Sequence, residues 1–175
     1  IQKIGKVMKF PIGIQQFEKL REEDWFYVDK TLHIYNLVQG GTCYFLSRPR
    51  RFGKSMLLST LDAYFQGKKH LFKGLAIEQL ETEWAEHAVL HLDLNAEKYT
   101  APEDLTNILD TYLREWEEKY ESTEKENPSL SQRFRSVIRA AKQKTGRNVV
   151  VLVDEYDNPM LQAIGNEELQ TEFRN

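Results

Sequence analysis

The chain has 175 residues, 41% hydrophobic and 29% charged, which is enough for a domain with a real hydrophobic core and is ordinary for a soluble protein. Its net charge of −3 gives no overall pull toward nucleic acid or anionic membrane, and the longest aliphatic run, Val149 to Val153, is far too short to cross a bilayer. A single cysteine, Cys43, excludes an internal disulfide, and no charged-then-apolar leader opens the sequence, although it starts at Ile1 rather than Met. The expected location is the cytoplasm.

Gly13 is followed by Ile14, Phe17 and Leu20 at helical spacing, broken near Asp24. Trp25-Phe26-Tyr27-Val28 reads as an extended apolar piece. Asp29 or Thr31 caps the next helix, which carries Leu32, Ile34, Tyr35 and Val38 and stops at Gly40-Gly41. Cys43-Tyr44-Phe45-Leu46 reads as a short buried strand, with Cys43 as a small core residue. After a loop from Ser47 to Phe52, Met56, Leu57, Leu61, Tyr64 and Phe65 recur at helical spacing and end at Gly67.

Val89 to Leu94 predicts a second strand. Thr100-Ala101-Pro102-Glu103 has the form of a capping box with proline in the first turn. The helix it opens has one apolar face made of Leu105, Ile108, Leu109, Tyr112, Leu113, Trp116 and Tyr120. Ser129 to Gln132 is another capping box, starting a helix that packs through Leu130, Phe134, Val137, Ile138 and Ala141 and stops before Gly146. Val149 to Val153 is too uniformly apolar for an edge strand and predicts a central parallel one. Two short helices follow, Pro159 to Ile164 and Glu167 to Phe173. Strands alternating with helices indicate an α/β sandwich with a mostly parallel sheet, whose ligands bind beyond the carboxyl ends of the strands.

Both candidate motifs fall at that edge. Arg48-Pro49-Arg50-Arg51-Phe52-Gly53-Lys54-Ser55 lies between a predicted strand and a predicted helix, as a phosphate-binding loop requires. Backbone N–H groups at a helix start face phosphate, and the helix dipole favours negative charge there. Gly53 lets the backbone approach closely, Lys54 bridges the β- and γ-phosphates, and Ser55 offers its hydroxyl to Mg²⁺. The cradle would comprise Arg50, Arg51, Phe52, Gly53, Lys54, Ser55 and Met56. Arg48 stands where such loops usually carry their first glycine, so the turn must be made differently, with Pro49 as a rigid element. Arg50 and Arg51 have three outlets: phosphate, a partner, or solvent.

The second motif is Val149-Val150-Val151-Leu152-Val153-Asp154-Glu155. A buried strand delivers Asp154 to hold Mg²⁺ through water, and Glu155 then orients and deprotonates the attacking water. Alone, such a strand end often marks only a polar turn. The 100 residues separating Lys54 from Asp154 suit a phosphate-loop sheet, and each motif supports the other. His33, His70, His87 and His91 show no metal-ligand spacing, so zinc is not expected. Asp93, near the end of the second strand, reads first as a loop cap and second as an approach to the site. Tyr112, Trp116 and Tyr120 read as core.

Pro11-Ile12-Gly13-Ile14, Phe17-Glu18-Lys19-Leu20-Arg21 and Tyr27-Val28-Asp29-Lys30-Thr31 resemble the opening of the bacterial AAA-ATPase-like proteins. Tyr44 to Ser55 is similar to that family's arginine-rich phosphate loop, and Val153-Asp154-Glu155-Tyr156-Asp157 to its acidic strand. The resemblance implies a P-loop NTPase-type three-layer sandwich and an ATPase using ATP and Mg²⁺. It also implies nucleotide contacts near Ile12-Gly13-Ile14 and, in longer relatives, a following nuclease-like domain of the PD-(D/E)XK type. On this reading residues 1–41 form a helical segment before the phosphate-loop strand, and 42–175 form the ATPase core. The resemblance places a sensor-bearing strand between the two motif strands. Residues 155–175 read only as helices, so the expected sheet is incomplete within this chain, its gap filled by a neighbouring molecule or the two motifs held apart.

The leading functional expectation is an ATP-binding, Mg²⁺-dependent NTPase with nucleotide as ligand, no membrane partner, and possible oligomerisation. The alternative is a non-hydrolysing regulatory or nucleic-acid-binding module that uses Arg48, Arg50 and Arg51 as a phosphate-backbone clamp. A third reading is a fold retained for assembly.

Overall fold

A computed structural model describes residues 9–49, 51–95, 98–123 and 128–173. The chain divides into two compact units, Ile1–Glu86 and His87–Asn175.

Among its described residues the first unit holds the helices α1 (Phe17–Glu22), α2 (Thr31–Gly40) and α3 (Lys54–Phe65), followed by 3₁₀ turns at Lys69–Phe72 and Ala76–Gln79. The helical spacing of Phe17 and Leu20 puts both into the core, where α1 packs on α3. Phe72 is fully buried at the centre of an aromatic cluster, its ring centroid 4.9 Å from Phe17 and 5.0 Å from Trp84. Polar ties fix this packing. The Phe17 N–H donates to Ser59 Oγ at 2.8 Å, and Arg21 donates to the carbonyls of Leu71 and Lys73.

Asp29 organises the start of α2. Its Oδ1 accepts from the N–H and hydroxyl of Thr31 at 2.8 and 2.7 Å, while its Oδ2 accepts from the Ala76 N–H at 2.7 Å. The wholly buried Thr31 then accepts the Ile77 N–H through its hydroxyl. One carboxylate thus joins α2 to the second 3₁₀ turn. Burial opposes its charge, but these hydrogen bonds outweigh that cost and hold its pKa below the ordinary aspartate value.

Residues 43–46 depart from expectation. They carry no regular secondary structure, and Cys43 is exposed, as are Tyr44, Phe45 and Leu46. A strand exists only through its ladder, and among the described residues this run joins none. Tyr44 turns back on α2 instead, its hydroxyl donating to the Leu37 carbonyl at 2.5 Å with its ring against Gly40 and Gly41. Of the expected extended piece from Trp25 to Val28, Trp25 pairs with Lys9 in an isolated bridge, and among the described residues the piece forms no longer ladder.

The second unit contains β1 (Val89–Asp93), α4 (Pro102–Tyr120), α5 (Leu130–Thr145), β2 (Val150–Asp154), α6 (Asn158–Gln162) and α7 (Glu167–Glu172). The two strands pair in parallel, from Val89 opposite Val150 to Asp93 opposite Asp154. Ala88 and Leu90 meet Leu113, Trp116 and Tyr120 of α4 and Val137 and Ala141 of α5 in one core. Trp116 and Tyr120 are core residues, as their spacing predicts.

The helix ends explain themselves chemically. Ser129 and Gln132 cap each other's backbone N–H groups, and α5 ends at left-handed Gly146. At α4 the reciprocal acid is Asp104 rather than Glu103: its carboxylate accepts from the N–H groups of Thr100 and Ala101. These bonds lower its pKa. Arg133 of α5 bridges Asp110 and Glu117 of α4, its Nε lying 2.7 Å from Glu117.

The fold is therefore mixed α/β with a small parallel sheet. Among the described residues β2 pairs on one side only, and Val151 and Val153 are each 41% exposed. The expected central strand, covered on both faces, is instead a strand with one face inward. Its apolar composition does not distinguish those cases.

Candidate functional site

The phosphate-loop residues lie in the first unit. α3 starts at Lys54, with Gly53 as its N-cap in the left-handed region at φ 77°. As a glycine it offers no side chain to cap this end, and among the described residues nothing beyond its chain neighbours lies within 4 Å of where a Cβ on Gly53 would sit. A 12-residue helix thus begins at a residue with no capping side chain, and its dipole and first N–H groups favour negative charge there. Before it, the Phe52 N–H reaches the Pro49 carbonyl at 3.4 Å, and Arg51 is left-handed at φ 68°. That turn is built without a glycine at position 48.

Arg48, Arg51 and Phe52 are exposed, and Lys54, Ser55 and Met56 are half-buried. Arg50 lies outside the described residues. The Met56 carbonyl accepts from the Thr60 hydroxyl at 2.7 Å.

The acidic residues lie in the second unit. Parallel pairing brings Asp154 to the carboxyl edge of the sheet, and it is 7% exposed. Its Oδ1 accepts from the Glu155 N–H at 3.0 Å. Glu155 itself is left-handed at φ 51°, an unfavourable conformation for a residue with a Cβ. Such strain persists where surrounding structure enforces it, and it gathers at functional sites.

The enforcement is visible in three bonds around Leu94. The Leu94 N–H donates to the Asp154 carbonyl at 3.1 Å. Its carbonyl accepts from the Asn158 amide at 3.1 Å and from the Tyr99 hydroxyl at 2.8 Å. Asn158 also donates its N–H to the Glu155 carbonyl at 2.9 Å. The turn from Asp154 to Asn158 is thereby clamped to the end of β1. Asn158 and Leu94 carry no motif signal of their own; the only sequence hint is a polar residue just before Pro159.

Asp93 shows the cap expected of it, accepting the Asn95 N–H at 2.9 Å. It is also the register partner of Asp154, so two carboxylates share the sheet's carboxyl edge. Nearby Asp157 keeps Oδ1 buried with no hydrogen-bond partner. Among the described residues no group of three or more His, Cys, Asp or Glu could hold a metal ion by itself. No described helix is long and apolar enough to cross a membrane.

Residues 11–175 match the AAA-ATPase-like family, described as "Predicted AAA-ATPase". The chain belongs to this family. It is also 42% identical over 170 residues to an "Uncharacterized protein in vnfD 5'region" of Azotobacter chroococcum mcd 1, a match covering 95% of this chain and 32% of the relative. The chain thus spans about a third of that curated relative's length. No solved structure matches it. Family membership agrees with the resemblance read from the two motifs, and it supports nucleotide use in general terms.

Proposed function

We propose that this chain is the ATP-binding core of a Mg²⁺-dependent nucleoside triphosphatase. The observation that carries the reading is the start of α3, where left-handed Gly53 is the N-cap of a helix that Lys54 and Ser55 open. The donor set fits a nucleotide phosphate: helix N–H groups, an ammonium, and room at Gly53 for close approach. It fits magnesium less completely, because one hydroxyl and one strand-end carboxylate leave most positions to phosphate oxygens and water, as that ion accepts.

ATP supplies the phosphoanhydride bond, and Mg²⁺ supplies the charge that gathers its oxygens. The protein's own groups do the rest. The first turn of α3 binds the phosphates, and Lys54 offsets charge that builds toward the leaving oxygen. Ser55 would offer its hydroxyl to the metal, and Asp154 would hold it through water. Glu155, presented by its left-handed turn, orients the attacking water and takes its proton as the bond from phosphorus to the bridging oxygen breaks.

Thermal unfolding with added nucleotide tests the reading. ATP with Mg²⁺ should raise the melting temperature, since a ligand of the native state stabilises it by mass action. Ser55→Ala should weaken the Mg²⁺-dependent part of that rise. Equal stabilisation with and without Mg²⁺ in both proteins would contradict the metal role.

A further inference from the structure

The chain's net charge is −3, yet α5 carries five cations, Arg133, Arg135, Arg139, Lys142 and Lys144, and no acidic residue along its 16 positions. Two of the five are occupied. Arg133 is paired with Asp110 and Glu117 of α4, and Lys144 donates to Glu121 at 2.8 Å. Arg135, Arg139 and Lys142 are exposed and make no ion pair among the described residues.

Their spacing of four and three residues stacks them on one stripe of the helix. Val137 and Ala141, fully buried, mark the opposite side. Helix polarity accounts for Lys142, which lies in the last turn, but Arg135 and Arg139 lie too far from that end to gain much from it. A face kept charged only for solvation mixes signs, as α4 does with exposed Glu103, Arg114, Glu115, Glu118 and Lys119. The stripe on α5 has one sign.

We infer that this stripe is a docking surface for the phosphodiester backbone of duplex nucleic acid. Arginine suits phosphate because its planar fork donates two parallel hydrogen bonds. From Arg135 to Lys142 the helix rises roughly 10 Å, a span reaching about three successive phosphates of one strand. The stripe presents no large apolar side chain, so it lacks the anchor that a membrane surface or a peptide interface would use. Contacts of this kind position a protein on a duplex without reading its sequence. They use neither the phosphate loop nor the acidic strand end.

The test is fluorescence anisotropy with a labelled 20-base-pair DNA duplex, nucleotide and Mg²⁺ omitted, at several NaCl concentrations. The unaltered chain should bind at low salt, and the triple variant Arg135→Ala, Arg139→Ala, Lys142→Ala should bind at least 10-fold more weakly there. Its plot of log affinity against log salt should be shallower by roughly 2–3, the loss expected for three phosphate contacts. Arg135→Lys with Arg139→Lys should keep the slope, because charge is preserved. All three side chains are exposed, so an unchanged melting temperature should accompany the loss. Equal slopes in the chain and its triple variant would overturn the inference. So would failure of the unaltered chain to bind duplex at low salt, or stripe-dependent binding to phosphatidylserine vesicles that duplex does not compete away.

Discussion

The Asn158 amide donates to the Leu94 carbonyl at 3.1 Å, tying the start of α6 to the end of β1 across the acidic turn that follows β2. Both partners are buried, Asn158 being 7% and Leu94 7% exposed. Asn158→Ala leaves that carbonyl with the Tyr99 hydroxyl alone and should destabilise the chain by about 1–2 kcal/mol. Asn158→Asp should cost at least as much, since it sets a carboxylate oxygen against a carbonyl. Urea unfolding midpoints measure both. Unchanged midpoints would show that the clamp is not made in solution.

Glu155 offers a test of strain. Its left-handed backbone costs about 1–2 kcal/mol for a residue with a Cβ, while glycine adopts it freely but loses more chain entropy on folding. Glu155→Gly should therefore stabilise the chain by up to about 1 kcal/mol. Glu155→Ala keeps the strain and should give no gain. If Gly and Ala variants melt together, the turn is not held in this conformation.

Acid should loosen the first unit through two carboxylates. Burial opposes the charge of Asp29, and the Thr31 and Ala76 donors outweigh it. Burial likewise opposes the charge of Glu81, and the Tyr64 hydroxyl with nearby N–H groups outweighs it. Both pKa values are lower folded than unfolded. Their stabilisation is therefore complete above the ordinary carboxylate range, near about 4, and is lost as pH falls through the folded values. The Tyr64 pKa is raised by burial first and Glu81 second, so its share is present below about 10 and lost above it. Melting temperature against pH should fall at both ends. Asp29→Asn should flatten the acid limb; a limb equally steep in that variant would contradict the assignment.

Cys43 should react completely with Ellman's reagent in the folded protein, at close to the rate of an unfolded control, because its side chain is exposed. Strong protection would mean that residues 43–46 are covered in solution.

How far the sequence carried the structure depends on where each piece finds its partners. Ser129 and Gln132 satisfy each other within one turn, so α5 was readable to its first residue. Trp116 and Tyr120 follow helical spacing that has one physical solution, an inward face. The start of α3 at Lys54 was readable for the same reason. Residues 43–46 were not, because apolar character states a wish to be covered without naming the neighbour that covers it. Val151 and Val153 mislead in the same way. The acid that closes the α4 cap is Asp104 because the N-cap is Ala101, one residue after Thr100, and Asp104 stands at the standard spacing from it. In the candidate site the motif residues were readable one by one. The Leu94–Asn158 clamp was not, since it joins positions 64 residues apart that form no motif.

Calorimetric titration of ATP into this chain, with and without Mg²⁺ and beside Lys54→Ala, decides whether the phosphate loop binds nucleotide. Binding should be saturable, strengthened by Mg²⁺ and removed by the lysine change. Binding that survives Lys54→Ala unaltered, or no binding in the unaltered chain, would contradict nucleotide binding by the loop.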